Sequence, residues 1–231
     1  MRKYILIVAT LLLMIVIGLR WNSATFFSVE KYRCSQSNLL SDACFSAIND
    51  SLGILLQKNL SAHAIIDHLK EQFPVLTAIE LSYRPEEVAI KIHSQKPLCC
   101  INTTLVLTSY NKLLSRDFFS IHAIEAIPKI TVLHDALLKK PLIISSVLQS
   151  LPVNFYETYN LELINEHCIH LIDKKYPQFI IVFSVDQEKL LNTFDQCVLI
   201  KQNIDTRNGF NKGITWIADT RFAHYIIAYK T

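Results

Sequence analysis

The sequence contains very little glycine. Its 231 residues include only four, Gly18, Gly53, Gly209 and Gly213. Neither a Gly-x-Gly-x-x-Gly fingerprint nor a P-loop can be written with glycines at these positions, because both motifs need glycines at fixed short spacings. The sequence therefore excludes the two common glycine-rich cradles for nucleotide phosphates.

An excess of charge of one sign is also missing from most of the chain. The formal net charge is +3, and Arg2, Lys3 and Arg20, which flank an apolar run, account for all of it. The remainder carries twenty basic and twenty acidic side chains. Proteins that bind nucleic-acid backbones normally carry a clear cationic excess, so we expect no nucleic-acid partner.

Motifs for catalysis and metal binding are absent as well. The sequence has no Gly-x-Ser-x-Gly elbow, no His-Glu-x-x-His and no Cys-x-x-Cys. The densest group of metal-type side chains is His167, Cys168 and His170. Neighbouring strand residues point to opposite faces, so too few of these side chains converge for a closed site. We expect no catalytic residue, no cofactor, no metal and no small-molecule substrate.

The longest apolar run lies at the start of the sequence. Tyr4–Leu19 has sixteen residues without a charge, whereas a spanning helix usually needs about 20. Lys3 and Arg20 can extend the run by snorkelling, and Trp21 suits a membrane interface. A cleaved signal peptide shares the charged start, but no small-x-small cleavage site follows cleanly. We therefore predict a cytoplasmic tail at 1–3 and an uncleaved transmembrane anchor at 4–20, with the remainder exported.

The six cysteines do not define a disulfide framework. Cys99 and Cys100 are adjacent and are not expected to bond with each other. An exported location permits disulfides, but the pairing of the other cysteines cannot be read from their spacing. Buried free thiols and one structural disulfide both stay open.

Residues 26–95 predict a small domain of order β-α-α-β-β that follows a linker at 21–25. An opening strand near Phe26 precedes a helical pattern over 38–57. After Ser61, a good N-cap residue, a second helix carries one apolar stripe, and a hairpin follows it. The strands of that hairpin are predicted at 75–81 and 88–92.

Residues 96–231 predict a larger region dominated by strands. Tyr110, Asn111 and Lys112 mark a turn, since Asn tolerates a left-handed backbone. Helices are predicted at 141–151 and 187–194. The predicted strands are 98–101, 105–108, 129–133, 161–164, 168–172, 179–183, 214–219 and 225–229.

Several short motifs follow one another over nearly the whole chain. They are 69–75 (Leu-Lys-Glu-Gln-Phe-Pro-Val), a turn at Arg84-Pro85, Lys96-Pro97, the stretch 107–114, 127–130 (Ile-Pro-Lys-Ile), and Asp219, Arg221 and Phe222 in an Asp-x-Arg-aromatic signature. In this order and spacing the sequence resembles the bacterial cell division family FtsQ, also called DivIB.

The resemblance implies the fold class α+β. A single N-terminal transmembrane helix would precede a POTRA domain (β-α-α-β-β) at 26–95. A C-terminal mixed β domain with two or more helices would occupy 96–231.

The resemblance also implies a non-enzymatic divisome scaffold that links early and late division proteins and regulates septal peptidoglycan synthesis. FtsB-like and FtsL-like bitopic partners would bind through β-augmentation, and other divisome proteins would bind the POTRA domain. The implied location is the inner (plasma) membrane, with a single pass, a cytoplasmic N-terminus and a periplasmic bulk concentrated at the division septum.

The resemblance places the main partner contact on the last strand. The implied partner-binding residues are Phe222, Ala223, His224, Tyr225, Ile226, Ile227, Ala228 and Tyr229. Strand alternation would point Tyr225, Ile227 and Tyr229 to one face, and His224, Ile226 and Ala228 to the other.

Two aromatic and two charged residues in this region have competing interpretations. We expect Phe222 and Tyr229 to be aromatic anchors of the partner contact; the alternative is that both fill the core of the domain. Asp219 and Arg221 are two residues apart and share a strand face, which predicts a structural ion pair or a capped turn.

Two other functions stay open from the residues alone. One is another POTRA-containing accessory of envelope assembly or secretion, although such chains usually carry tandem POTRA units or a barrel. The other is an exported hydrolase with an unrecognised site, which no motif of this sequence favours.

Overall fold

The computed structural model describes residues 32–35, 37–58, 60–83, 88–151, 155–184, 190–207, 214–222 and 226–231. The chain divides into two units. The first contains the described residues of Met1–Ser37 and Phe45–His93. The second contains those of Asn38–Cys44 and Ser94–Thr231.

The first unit is built on a three-stranded sheet. Its elements are β1 (Tyr32–Ser35), α1 (Asp42–Gln57), α2 (Ala62–Gln72), β2 (Leu76–Tyr83) and β3 (Val88–Ser94); Asp42–Cys44 and Ser94, at the ends of α1 and β3, are counted with the second unit. The strand order is β1-β3-β2, with β1 parallel to β3. The described elements follow the order β-α-α-β-β, whereas the opening strand predicted near Phe26 lies outside the described residues.

The local patterns of this unit explain its helices and strands. The Ser61 side chain accepts a hydrogen bond from the backbone N–H of Ala64 and caps α2. Ile65 and Leu69, four residues apart, are the buried residues of that helix. In β3, alternate residues from Val88 are buried, so one face of this strand lies in the core.

The second unit is built on a nine-stranded mixed sheet in the order β12-β11-β10-β9-β8-β7-β4-β5-β6. Its strands are β4 (Pro97–Ile101), β5 (Leu105–Thr108), β6 (Leu113–Ser115), β7 (Lys129–Val132), β8 (Tyr159–Asn165), β9 (Cys168–Asp173), β10 (Phe179–Ser184), β11 (Trp216–Asp219) and β12 (Ile227–Lys230). Its helices are a 3-10 turn (Arg116–Phe118), α3 (Ile121–Glu125), α4 (Asp135–Leu138), α5 (Pro141–Ser150), α6 (Phe155–Thr158) and α7 (Leu190–Arg207).

Strand direction explains where the helices of the second unit lie along the chain. β7 is parallel to β8, and β10 is parallel to β11. Parallel neighbours need a long crossover connection, usually through a helix. Accordingly, α4, α5 and α6 connect β7 to β8, and α7 connects β10 to β11.

The main core of the second unit joins this sheet to its helices. Alternate residues of β9 and β10, including Leu171 and Ile181, belong to one buried cluster with Ile144 of α5 and Cys197 and Ile204 of α7. The residues of α7 in this cluster are seven apart and share a helix face. The sheet therefore buries one face beneath its crossover helices.

A carboxylate anchors α7 to the turn that follows β9. Asp173 is 1% exposed and accepts backbone hydrogen bonds from Lys175 at 2.9 Å and Tyr176 at 2.8 Å. It also pairs with the Lys201 ammonium of α7. One buried side chain thus fixes both a turn and the crossover helix.

Residues 38–44 form a short segment that belongs to the second unit. The backbone N–H of Ser41 donates to the carbonyl of Phe118 at 3.0 Å, and Ser120 donates to the carbonyl of Leu39 at 2.9 Å. Leu40, which is 1% exposed, forms an antiparallel bridge with Phe119, 3% exposed. This segment is therefore hydrogen-bonded to residues far along the chain. The sequence pattern had instead placed 38–57 in one helix of the first domain.

The described elements form an α+β fold, but the transmembrane helix that was part of the predicted fold class is not supported. No helix in the described part of the chain is long and apolar enough to cross a membrane; the longest, α1 and α7, have 16 and 18 residues and carry acidic side chains. The anchor predicted at 4–20 lies outside the described residues. Within the described residues the second unit has five α-helices, consistent with the expected two or more, and the sequence patterns had located two of them.

We expect Leu40→Ala to lower the free energy of unfolding by about 2–5 kcal/mol, because it removes a fully buried leucine and leaves a cavity. Leu142→Ala is the matched control, since Leu142 is 67% exposed, and it should change stability by less than about 0.5 kcal/mol. Chemical denaturation of both variants measures the difference. Equal effects would show that Leu40 does not hold the segment in place.

Candidate functional site

The last strand, β12, lies at one end of the nine-stranded sheet. It pairs with β11 in antiparallel register, with Ile217 opposite Tyr229 and Asp219 opposite Ile227. Among the described residues no strand pairs with the other side of β12. All four of its residues are exposed, so the sheet ends in an accessible strand.

The hydrogen-bond pattern shows which backbone groups of β12 face outward. Thr215 and Thr231 exchange both backbone hydrogen bonds, at 3.1 and 2.8 Å. In an antiparallel ladder every second residue repeats this arrangement, so Tyr229 and Ile227 also direct their backbone groups toward β11. The N–H and carbonyl groups of Ala228 and Lys230 therefore point away from the sheet.

Two large apolar side chains stand on one face of β12. Ile227 is 39% exposed and Tyr229 is 41% exposed. Residues two apart in a strand share a face, so these side chains form a small apolar surface beside the outward backbone groups. Ala228, on the other face, lies opposite Ala218.

The structure separates the expected partner-binding residues into three groups. Phe222 is 44% exposed, and Ile227, Ala228 and Tyr229 belong to the end strand. Ile226 is half-buried and packs against the core of the second unit. Ala223, His224 and Tyr225 lie outside the described residues. Neither Phe222 nor Tyr229 is buried in the core, which was the competing interpretation of these two aromatic residues.

Asp219 and Arg221 form a two-pronged ion pair beside this strand. Arg221 Nε donates to Asp219 Oδ1 at 2.9 Å, and Nη2 donates to Oδ2 at 2.6 Å. The backbone N–H of Arg221 also donates to Oδ1, at 3.1 Å. Asp219 is 3% exposed, and the hydrogen bonds from Arg221 hold the pKa of its carboxyl below the ordinary value. The pair thus fixes the turn that follows β11.

Sequence patterns did not indicate which strands surround this pair. Arg221 Nη1 lies 3.9 Å from Cys168 Sγ, and His170 lies opposite Glu162 of β8. Burial raises the pKa of the Cys168 thiol and lowers the pKa of His170. The Cys-x-His spacing in β9 puts both side chains on one face. Their proximity to Arg221 depends on the order of strands in the sheet, which could not be predicted from the sequence.

The cysteines and the metal-type residues are also placed by the structure. All six cysteines are free thiols, and five of them are buried. His167 lies exposed in the turn between β8 and β9. Within the described ranges, no three His, Cys, Asp or Glu side chains form a group that could hold a metal ion.

Comparisons with known proteins assign no family to the chain. The sequence matches no protein-family model, and a search of the curated proteins finds no match either. What the protein does is therefore inferred from its own residues and their geometry.

We expect Arg221→Met to lower the free energy of unfolding at neutral pH by about 1–3 kcal/mol, because it leaves a buried carboxylate without its donor. Since the folded-state pKa of Asp219 lies below its unfolded value, the contribution of the pair is lost as the pH falls through that lowered pKa. The difference in free energy of unfolding between the variant and the wild type should therefore become smaller below about pH 4. Urea unfolding over a pH series measures it.

Arg116→Met is the control for this pH series. Arg116 is exposed, and its guanidinium donates to the carbonyl of Thr103 at 3.3 Å. We expect a change below about 0.5 kcal/mol without a pH trend. A stability loss in Arg221→Met that persists unchanged in acid would contradict the role assigned to the ion pair.

Proposed function

We propose that the protein is a non-enzymatic scaffold that binds a partner strand along β12. The observation that carries this proposal is the position of β12 at the end of the sheet, with all four residues exposed. A strand in this position offers unpaired backbone N–H and carbonyl groups. Addition of a partner strand uses these groups for affinity and alternate side chains for selectivity.

The two ends of the sheet differ in a way that favours β12 as the binding edge. Proteins protect sheet edges with very short strands, charged side chains, prolines or bulges, and Lys230 is the one such charge in β12. At the opposite end, β6 has three residues, and none of them is exposed. β12 has no proline, runs in unbroken register with β11, and carries the exposed Ile227 and Tyr229. These side chains provide an apolar contact beside the unpaired backbone.

The process that we propose for this scaffold is bacterial cell division. The ordered motifs that resemble FtsQ and DivIB support this proposal. The resemblance implies a partner contact on the last strand, and β12 is the last strand and lies at an accessible edge of the sheet, which also supports it. The partners would be FtsB-like and FtsL-like proteins, with the FtsB-like protein adding the strand. The scaffold would act at the septum, where it would help to regulate septal peptidoglycan synthesis.

We expect Ala228→Pro to weaken binding of the FtsB-like ectodomain by about tenfold or more, because it removes an outward N–H donor and places a ring at the docking edge. The fold should persist, since proline is tolerated in an edge strand where the N–H faces solvent. Calorimetric titration with the full-length protein measures binding, and circular dichroism checks the fold.

Three further variants distinguish loss of the binding edge from loss of the folded strand in this titration. Ala228→Val keeps the N–H and should bind as wild type does. Tyr229→Pro removes a donor to β11 and should destabilise the strand itself. Tyr229→Ala should weaken binding without unfolding, as expected for an aromatic anchor. Unchanged affinity in Ala228→Pro would rule out strand addition at this edge.

We expect a fluorescent fusion at the N-terminus to form a band at mid-cell in dividing cells of the source bacterium, because a divisome scaffold must be present where the septum is built. Time-lapse imaging through the cell cycle measures this distribution. A uniform envelope signal throughout the cycle would contradict the division role while leaving strand addition by β12 intact.

A further inference from the structure

A pocket of about 440 Å³ opens in the second unit, at the N-terminal ends of β7 and β8. Its rim includes Glu125 at the end of α3, Lys129 of β7, Glu157 of α6, Asn160 of β8 and Lys174 after β9. The volume lies within the usual range of small-ligand sites, about 300–1,000 Å³. None of these residues belongs to the partner edge proposed above.

The rim carries two charges of each sign. Glu125 and Glu157 supply carboxylates, and Lys129 and Lys174 supply ammonium groups. Among the described residues, none of these four side chains takes part in a salt bridge. Opposite charges that share a pocket without pairing are available to a ligand that also carries both signs.

One wall of the pocket is held in place before any ligand arrives. Lys174 Nζ donates to the carbonyl of Tyr156 at 2.6 Å. The hydroxyl of Tyr156 donates to the carbonyl of Leu148 in α5, at 3.1 Å, and the N–H of Lys174 donates to the carbonyl of Thr158 at 3.0 Å. These bonds fix the wall, so less conformational freedom is lost on binding.

The geometry points to a binding site for a short zwitterionic peptide, with the ligand carboxylate beside Lys129 and Lys174 and its ammonium group beside Glu125 and Glu157. Asn160 offers both a donor and an acceptor to the peptide backbone. Ile127 and Pro128, which also line the pocket, give small apolar side chains a surface. This site is separate from β12 and does not depend on the partner proposed for that strand.

The probe that tests this site is trialanine with free termini, titrated into isotope-labelled full-length protein and followed by NMR. We expect residue-specific shifts confined to Glu125–Lys129, Tyr156–Asn160 and Lys174. Trialanine that is acetylated and amidated, and so carries neither charge, should cause none of these shifts. Each singly blocked form should bind about tenfold more weakly, since one charged contact is lost.

Variants of the rim test the assignment of the charges. Lys129→Met and Glu157→Gln should each weaken trialanine binding by about tenfold. Lys112→Met and Asp195→Asn alter exposed residues of the same unit that do not line the pocket, and should leave binding unchanged. Equal binding of the doubly blocked peptide, shifts outside the pocket, or no localised shift at millimolar peptide would overturn the proposal.

Discussion

The pairing of the buried Asp173 carboxylate with Lys201 is the contact on which the C-terminal edge of the molecule depends. α7 is the crossover between the parallel strands β10 and β11, so its position sets where the chain re-enters the sheet. A carboxylate buried without its partner would be strongly destabilising. Since β11 is placed by this crossover and β12 pairs with β11, one ion pair in the interior governs the accessible strand at the end of the sheet.

The two proposed binding surfaces of the second unit would use different recognition chemistry. Along β12, affinity for the proposed partner would come from backbone groups, and two apolar side chains would provide selectivity. In the pocket at the beginnings of β7 and β8, charged side chains of both signs would bind the proposed ligand. A backbone edge accepts many sequences of suitable pattern, whereas a charge-lined pocket distinguishes the ends of a chain from its middle.

Local patterns predicted the parts of the fold that local interactions determine. Asn111 has φ 55°, as expected for the turn placed there, and α2 begins after its Ser61 cap. The helices α3, α4 and α6 were missed because helices of four or five residues are too short to show a period. The spacing of Asp219 and Arg221 indicated their pairing, but which backbone groups of β12 face outward follows from register with β11, which no local pattern contains.

The hydrogen bonding of residues 38–44 to Phe118–Ser120 has a consequence for synthesis on the ribosome. The hydrogen bond from Ser41 Oγ to the Asp117 carbonyl links residues 76 apart in sequence, and most of the first unit lies between them. A nascent chain must therefore expose Leu40 throughout the translation of that unit and bury it only after Phe119 has emerged. Such a non-local contact forms late in folding, so the interval between these two residues sets the period during which the emerging chain needs protection.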